Sequence, residues 1–415
     1  MRVMRRPDNR VLYFISTILY TTGFMFCSGT ILQTFMMSAG MSETEVSVYN
    51  AVIQFVQTVV IFAMAFFADK LRRVLKLYSS IVLSVTLIAL SLILCIFVKS
   101  DVFAVKMLIF GSSVAVYFML GIRNAVDYRI LYELFDMNTI GKLMGAAIAV
   151  SGLVSFGVST VYSYAISRFD YYDVMTVFFI LSAVMLVFAA LACFSYKPIS
   201  EVPEPEKKRG LDFSAFKNPT TRALAVPSLF RGFANGIVVL ITVVGFANGI
   251  LTTQTSTYVT IITQATTFLG NISFAVLCRK VSNRTSLLVT SVMMAIAMPL
   301  SILRGALGDF LIAYAFAYFA YMIVSIAIPM LVCEIIPYEQ IGSFTCIRMM
   351  LFTFGSVIAS VAYKPLADLI GYFWLFVMAG VLQAVCGIAH YIVAGKVFKE
   401  RKSAGPADAD GASET

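Results

Sequence analysis

The chain has 415 residues, of which 60% are hydrophobic and only 13% are charged, and its formal net charge is +9. A soluble protein has about a quarter charged residues, and its core could not bury so much apolar surface, so the composition excludes an ordinary soluble globule. The mean hydropathy of +0.89 instead favours an integral membrane protein, in which each spanning helix needs roughly 20 apolar residues.

Continuous apolar runs, rather than the short alternating strands of a barrel, predict twelve transmembrane helices. The first six are predicted at residues 11–36, 46–68, 77–98, 103–126, 141–166 and 172–195. The last six are predicted at 221–248, 256–278, 286–303, 310–333, 341–363 and 372–397. We therefore expect four parts: an N-terminal six-helix bundle (1–195), a polar cytoplasmic linker (196–220), a C-terminal six-helix bundle (221–402) and a disordered tail (403–415).

The distribution of positive charge predicts how these helices are oriented. Of the 31 Lys and Arg residues, 24 fall in the termini, linker and loops of one side, five in the loops of the other side and two within helices. Cytoplasmic loops of membrane proteins are enriched in Lys and Arg. The charge therefore reflects topology rather than nucleic-acid binding, and it predicts a multi-pass protein of the cell membrane with both termini in the cytoplasm.

The two sets of six helices resemble each other in sequence. Residues 133–141 read ELFDMNTIG and residues 334–342 read EIIPYEQIG, so Glu and Ile-Gly keep the same separation after helices 4 and 10. Helices 1 and 7 both begin with Arg and carry a Ser at the same distance, at Ser16 and Ser228. Two like-oriented repeats of this kind place a substrate between the halves, near the middle of the membrane.

With this organisation the chain resembles the major facilitator superfamily over essentially its whole length. After helix 2 the family has Gly-x-x-x-Asp-Arg/Lys-x-Gly-Arg/Lys-Arg/Lys, and residues 65–74 read AFFADKLRRV. Asp69 and Arg73 match, whereas Ala65 and Arg72 stand where the family has glycine. The resemblance implies an all-α fold of two parallel six-helix pseudo-repeats, transport by alternating access, and an inner gate in which Asp69 and Arg73 pair with neighbouring helix ends.

Four further charged residues are candidates for this inner gate. Glu133 and Glu334 could pair with the two basic loops, since a carboxylate at a membrane edge needs a cation or a helix N-terminus nearby. Arg123 and Asp127 are four residues apart on helix 4 and could pair with each other. The alternative is that these residues only set the topology and form ordinary surface charge.

Polar side chains recur on single faces of three predicted helices. The residues concerned are Tyr314, Tyr318, Tyr321 and Ser325 on helix 10, Thr260, Gln264, Thr267 and Asn271 on helix 8, and Asn50, Gln54 and Gln57 on helix 2. Lipid would penalise such stripes, so they should face protein or water. They could line a solute cavity, or they could only hold neighbouring helices together by hydrogen bonds.

Two arginines are predicted inside helices, where a charge costs at least about 2.5 kcal/mol. Arg231 lies about ten residues into helix 7 and Arg348 about seven into helix 11, and these similar depths allow them to converge. Asn235 shares a helix face with Arg231. None of the 22 acidic residues is predicted at a helix centre, so a carboxylate or phosphate of the substrate could be the counter-ion. Alternatively, both arginines could extend to the inner surface or bind helix-end carbonyls.

The sequence therefore predicts a secondary-active transporter of a small polar solute, with an organic anion such as a carboxylate or an acidic or phosphorylated sugar favoured. A neutral sugar transporter or a multidrug exporter of the same fold is the alternative. A membrane-embedded enzyme is disfavoured, because HExxH, GxSxG, nucleotide-binding loops and a second histidine are all lacking. We expect no cofactor and no metal, and no nucleic-acid partner. We also expect a coupling ion or a counter-substrate, and a monomer surrounded by lipid.

Overall fold

The computed structural model describes residues 8–67, 74–135, 137–198, 219–277, 280–336 and 338–403. Within these ranges the regular secondary structure is helical, and no strand occurs among them. The helices of these described ranges form twelve successive passes, which is consistent with the number expected from the sequence. The predicted linker lies almost wholly outside the described residues, and so does nearly all of the predicted tail.

The first six passes are Asn9–Phe26 continued by Gly29–Ser38 (helix 1), Glu43–Phe67 (helix 2), Val74–Ser84 continued by Thr86–Phe97 (helix 3), Val102–Leu134 (helix 4), Met137–Arg168 (helix 5) and Tyr171–Phe194 (helix 6). The last six are Pro219–Ala225, Pro227–Val239 and Ile241–Ala247 (helix 7), Ser256–Leu277 (helix 8), Asn283–Leu303 (helix 9), Leu307–Ile335 (helix 10) and Tyr338–Ser403, which Gly371 divides into helix 11 (338–370) and helix 12 (372–403).

Ten helical segments of the described ranges are long and apolar enough to cross a membrane. One of them, Phe344–Lys399, includes the bend at Gly371 and therefore contributes two passes. Helix 8, which is rich in threonine, is not among the ten. Lengths and composition together make the chain a multi-pass membrane protein.

Three passes that the sequence predicts as single helices are interrupted. Helix 1 breaks between Phe26 and Gly29, helix 3 breaks at Val85, and helix 7 breaks at Val226 and Leu240. The first break in helix 7 has a direct cause, because Pro227 has no backbone N–H to donate to the carbonyl one turn back. The sequence prediction missed these breaks because most of the interrupting residues are as apolar as their neighbours.

The two membrane faces can be named from contacts at the helix ends. Asn9 Nδ2 donates to the Lys197 carbonyl over 2.6 Å, and the Lys197 N–H donates to Asn9 Oδ1 over 3.1 Å. The start of helix 1 and the end of helix 6 therefore lie together, on what we call the Asn9 side. The opposite face, where helices 1, 3, 5, 7, 9 and 11 end, is called the Ser38 side.

The first six helices meet the last six most extensively along two helix pairs. Helix 2 packs along helix 11, and helix 5 packs along helix 8. The Oγ atoms of Ser163 and Thr257 are 2.7 Å apart at the Ser38 ends of helices 5 and 8. Between helices 2 and 11, nearer the middle of the membrane, Thr58 Oγ1 donates to Thr353 Oγ1 over 2.7 Å. Polar contacts between the halves thus extend from the Ser38 side towards the centre.

Within the last six helices, helices 7 and 11 approach each other backbone to backbone. A Cβ atom added to Gly232 would lie 1.9 Å from the carbonyl oxygen of Phe352, and one added to Gly355 would lie 2.0 Å from that of Leu229. Only glycine leaves room for such a crossing. This contact brings together the parts of the two helices that carry Arg231 and Arg348.

Candidate functional site

Arg231 lies on helix 7 inside the second half, with only 4% of its surface exposed. Its Nε donates to Gln383 Oε1 of helix 12 over 3.1 Å, and its Nη2 donates to Ser291 Oγ of helix 9 over 3.0 Å. The third nitrogen, Nη1, is buried and has no hydrogen-bond partner among the described residues. No described carboxylate lies within ion-pair distance of this guanidinium. Two of its three nitrogens therefore donate to neutral groups, and these groups do not neutralise its charge.

Arg348 and Tyr321 complete a cluster around this guanidinium. Arg348 is half-buried on helix 11, and its positive charge acts repulsively on Arg231. Tyr321 of helix 10 is half-buried and also within electrostatic range of Arg231. The structure thus brings together two arginines that are 117 positions apart in the sequence. Two like charges at membrane depth repel each other, so an anion between them would be stabilised.

The helix 10 tyrosines form a continuous row that leads to this cluster. The ring centroids of Tyr314 and Tyr318 are 5.6 Å apart, and those of Tyr318 and Tyr321 are also 5.6 Å apart. Phe310 stacks on Tyr314 and extends the row towards the Ser38 side. Tyr314 is 4% exposed, and its hydroxyl lies 2.7 Å from Thr263 Oγ1 of helix 8. The predicted stripe therefore exists as an aromatic face with phenolic hydroxyls.

The remaining predicted binding residues lie on three different helices. Asn235 is 9% exposed and lies one turn beyond Arg231 on helix 7. Gln54 and Gln264 are half-buried on helices 2 and 8, which belong to different halves. Hydrogen bonds between the side chains of these three residues and the arginine cluster are not observed within the described ranges. Their part in binding stays a prediction.

The structure describes only some of the residues predicted to form the inner gate. Asp69 and Arg73 lie outside the described residues, and the side chains of Asp127 and Glu133 on helix 4 are also outside those described. Arg123 lies over the ring of Tyr20, 4.3 Å from its centroid, and over the ring of Tyr78, 5.3 Å from its centroid. Both rings line, with Arg123, a cavity of about 200 Å³ inside the first half.

Glu334, the other candidate for the gate, ends helix 10 on the Asn9 side. Its Oε1 accepts a hydrogen bond from Asn283 Nδ2 at the start of helix 9, over 2.6 Å. This contact joins two helices of the second half, as the contacts of Arg123 with the two tyrosines join helices of the first half. The pairing of these charges across the halves stays a prediction.

Sequence reasoning missed the partners that hold Arg231. Gln383 is 1% exposed and Ser291 is fully buried, and no local sequence pattern places their helices near the arginine. One signal was present, because Gln383 is a single amide in the apolar run of helix 12 and such a group needs a protein partner in lipid. The position of helix 12 beside helix 7 is not encoded in any local pattern.

The family is now clear from comparison with known proteins. The sequence profile of the Major Facilitator Superfamily matches residues 13–360. The chain belongs to this superfamily, and it is therefore a multi-pass membrane transporter that binds a small molecule, and not an enzyme. No curated protein matches it in sequence.

Solved structures of other transporters share the fold. A mutant of the nucleoside transporter NupG superposes with a TM-score of 0.67 at 13% identity, over 93% of this chain and 100% of that chain. NupG itself gives 0.63 at 14% identity, over 93% and 99%. A bacterial homologue of the human lysosomal transporter Spinster, in an inward-facing and unoccupied conformation, gives 0.61 at 12% identity, over 95% and 98%. At such low identities the likeness establishes the fold alone.

Proposed function

We propose that the chain is a secondary-active transporter of a small organic anion, such as a carboxylate or a phosphorylated sugar. One observation carries the proposal: the guanidinium of Arg231 is buried, no described carboxylate pairs with it, and its Nη1 has no hydrogen-bond partner among the described residues. A buried charge without a counter-ion is unfavourable, so an anion that binds next to it would be stabilised by neutralising it. A transported anion is a counter-ion that can arrive and leave.

The contacts of Arg231 limit how such an anion would bind. With Nε and Nη2 donating to Gln383 and Ser291, Nη1 is the one nitrogen of Arg231 without a described partner. A two-pronged grip on a carboxylate through Nε and Nη2 is therefore disfavoured here. We expect the anion to bridge Arg231 and Arg348 instead, with its uncharged part along the tyrosine row. Asn235, Gln54 and Gln264 would bind polar groups of that uncharged part.

Transport would follow from the two-fold organisation of the chain. The halves, residues 1–195 and 221–402, would rock about the central site and expose it to each side in turn. The hydrogen bonds between the halves on the Ser38 side support a state that is closed on that side. The positive charge of the other side supports placing the Asn9 side in the cytoplasm of a cell, with Asp69 and Arg73 in the inner gate.

The proposal is tested by ligand-dependent stabilisation and uptake. The purified protein is heated with dicarboxylates, sugar phosphates and the matching neutral sugars, because a ligand stabilises the state it binds. We expect the anions alone to raise Tm, and Arg231→Gln to abolish the rise and the uptake into proteoliposomes. Arg304→Gln is the matched control, since Arg304 is an exposed cation at the Ser38 end of helix 9. Anion binding unchanged by Arg231→Gln would refute the proposal.

A nucleoside is the second candidate substrate. The tyrosine row could stack on a planar base, and two of the similar structures are of a nucleoside transporter. In this case nucleosides would raise Tm. Tyr318→Leu would weaken nucleoside binding more than Tyr318→Phe, because the phenylalanine keeps the aromatic ring. Stabilisation by nucleosides that survives Arg231→Gln would favour this candidate over the anion. Stabilisation by neutral sugars or by amphipathic drugs would favour the remaining alternatives.

A further inference from the structure

A cluster of ionic groups joins the two halves on the Ser38 side. Glu43 begins helix 2 in the first half, and its Oε2 lies 3.8 Å from Lys364 Nζ of helix 11 in the second half. The same oxygen accepts a hydrogen bond from the hydroxyl of Tyr372, the first residue of helix 12. The side chain of Glu43 is 19% exposed and that of Lys364 is 32% exposed, so both are partly shielded from solvent.

Lys364 has a second carboxylate partner on its own helix. Asp368 lies one turn further along helix 11, and its Oδ1 is 2.9 Å from Lys364 Nζ. Lys364 is therefore shared between a carboxylate of the first half and one of the second half. If the halves separate on the Ser38 side, Lys364 loses Glu43 but keeps Asp368, so its charge is never left without a partner.

Gly371 fixes the geometry of this cluster. Its φ of 80° and ψ of 156° turn the chain from helix 11 into helix 12, and this left-handed conformation favours glycine. The turn places the Tyr372 hydroxyl and the Lys364 ammonium on the same carboxylate. Glu43 thus receives two donors from the second half, and both would be lost together when the halves part.

We propose that Glu43, Lys364, Asp368 and Tyr372 form an ion-pair exchange latch that sets the balance between the closed and open states of the Ser38 side. This inference rests on the alternating access proposed above, but not on the identity of the substrate. In the closed state Glu43 binds Lys364 and Tyr372. In the open state Lys364 pairs with Asp368 alone, and Glu43 is hydrated.

The latch predicts opposite effects for its two carboxylates. Glu43→Gln weakens only the closed state, so the open population should rise, on the order of fivefold for one partly shielded ionic contact. Asp368→Asn removes the partner that Lys364 keeps on opening, so the open population should fall. A merely structural role would not give opposite signs, because loss of either carboxylate would then loosen the same region.

The experiment measures how often the Ser38 side opens, using the full-length chain in lipid nanodiscs without substrate. The seven native cysteines are replaced and Thr257→Cys is introduced, because Thr257 is 2% exposed and faces Ser163 across the halves. Its labelling rate by a thiol reagent reports opening of that contact. Spin labels at Ser100 and Gln254, two exposed loop residues of opposite halves on the Ser38 side, measure the distance distribution independently.

Glu45→Gln is the matched control, because Glu45 pairs with Lys106 on the same side but within the first half. We expect faster labelling and a larger long-distance population for Glu43→Gln, slower labelling for Asp368→Asn and no change for Glu45→Gln. Equal rates for Glu43→Gln and Glu45→Gln, or a shift of Asp368→Asn in the same direction as Glu43→Gln, would overturn the latch. Absence of anion transport together with the expected labelling pattern would refute the substrate assignment and leave the latch standing.

Discussion

At the scale of single residues, the arginine cluster marks both the success and the limit of sequence reasoning. That Arg231 and Arg348 lie inside helices at similar depths could be predicted, because a cation in an apolar run is rare and costly. The neutral partners of Arg231 were not predictable, since Gln383 and Ser291 come from helices 12 and 9 and their contact depends on how helices are arranged in space. Local patterns contain no such information.

The hydrogen bond from Arg231 to Gln383 gives a prediction about stability. Gln383→Leu leaves the buried Nε of Arg231 without an acceptor, so the free energy of unfolding should fall by about 1–3 kcal/mol. Denaturant unfolding in detergent measures this fall. Gln254→Leu is the control, because Gln254 is exposed in a loop and its substitution should be nearly neutral. Equal stabilities for the two variants would show that the Arg231–Gln383 bond contributes nothing.

At the scale of helices, sequence periodicity and length fixed where the passes lie but not where they break. Hydropathy averages over a window, so an apolar residue such as Val85 or Leu240 that ends one segment and begins the next leaves no trace. The close crossing of helices 7 and 11 was equally hidden. It depends on Gly232 and Gly355 facing each other, and single glycines in membrane helices are too common to be informative.

The crossing of helices 7 and 11 predicts the effect of one methyl group. Gly355→Ala would place a Cβ atom against the carbonyl oxygen of Leu229 and force the two helices apart. We expect the free energy of unfolding to fall by about 1–3 kcal/mol or more. Gly157→Ala of helix 5 is the control, since a Cβ there meets nothing within 4 Å. Thermal unfolding of both variants tests this. A Gly355→Ala protein as stable as the Gly157→Ala protein would contradict the crossing.

The turn at Gly371 predicts a cost from backbone conformation rather than from contact. A Cβ at this position has open space around it, but the positive φ is unfavourable for alanine. Gly371→Ala should therefore reduce the free energy of unfolding by about 1–3 kcal/mol. Gly308→Ala serves as the comparison, because its Cβ also has open space and its φ is not positive. Unfolding at equal denaturant concentration for both variants would argue against strain at residue 371.

At the scale of the whole molecule, the repeat in the sequence predicted the family, and the profile match confirmed it. The fold was predictable because membrane helices must satisfy their own backbone groups, so apolar length alone locates them. The contacts between the halves were not predictable, because pairs such as Ser163 and Thr257 consist of residues that are common in any membrane helix. Their hydrogen bond forms only because helices 5 and 8 pack side by side.

The contact between helices 5 and 8 predicts a reversible lock. Ser163→Cys with Thr257→Cys, in the cysteine-free chain, should form a disulfide across the halves, since the two native oxygens are 2.7 Å apart. We expect this bond to stop uptake and a reductant to restore it. Ser91→Cys with Ser112→Cys is the control, because these oxygens are also 2.7 Å apart but join helices 3 and 4 of one half. Full uptake by the oxidised Ser163–Thr257 pair would show that these halves need not separate there.

The threonines of helix 8 have a consequence for biosynthesis. Thr263, Thr266 and Thr267 each donate to a carbonyl one turn back in the same helix, over 2.8, 2.7 and 2.7 Å. These bonds pair the hydroxyl donors of a segment that carries five threonines between Ser256 and Leu277. Even so, helix 8 should partition weakly into lipid as it leaves the translocon. In a nascent chain that stops after helix 8, this helix should fail to insert more often than in a chain that continues through helix 9. We expect helices 8 and 9 to insert into the bilayer together as a hairpin.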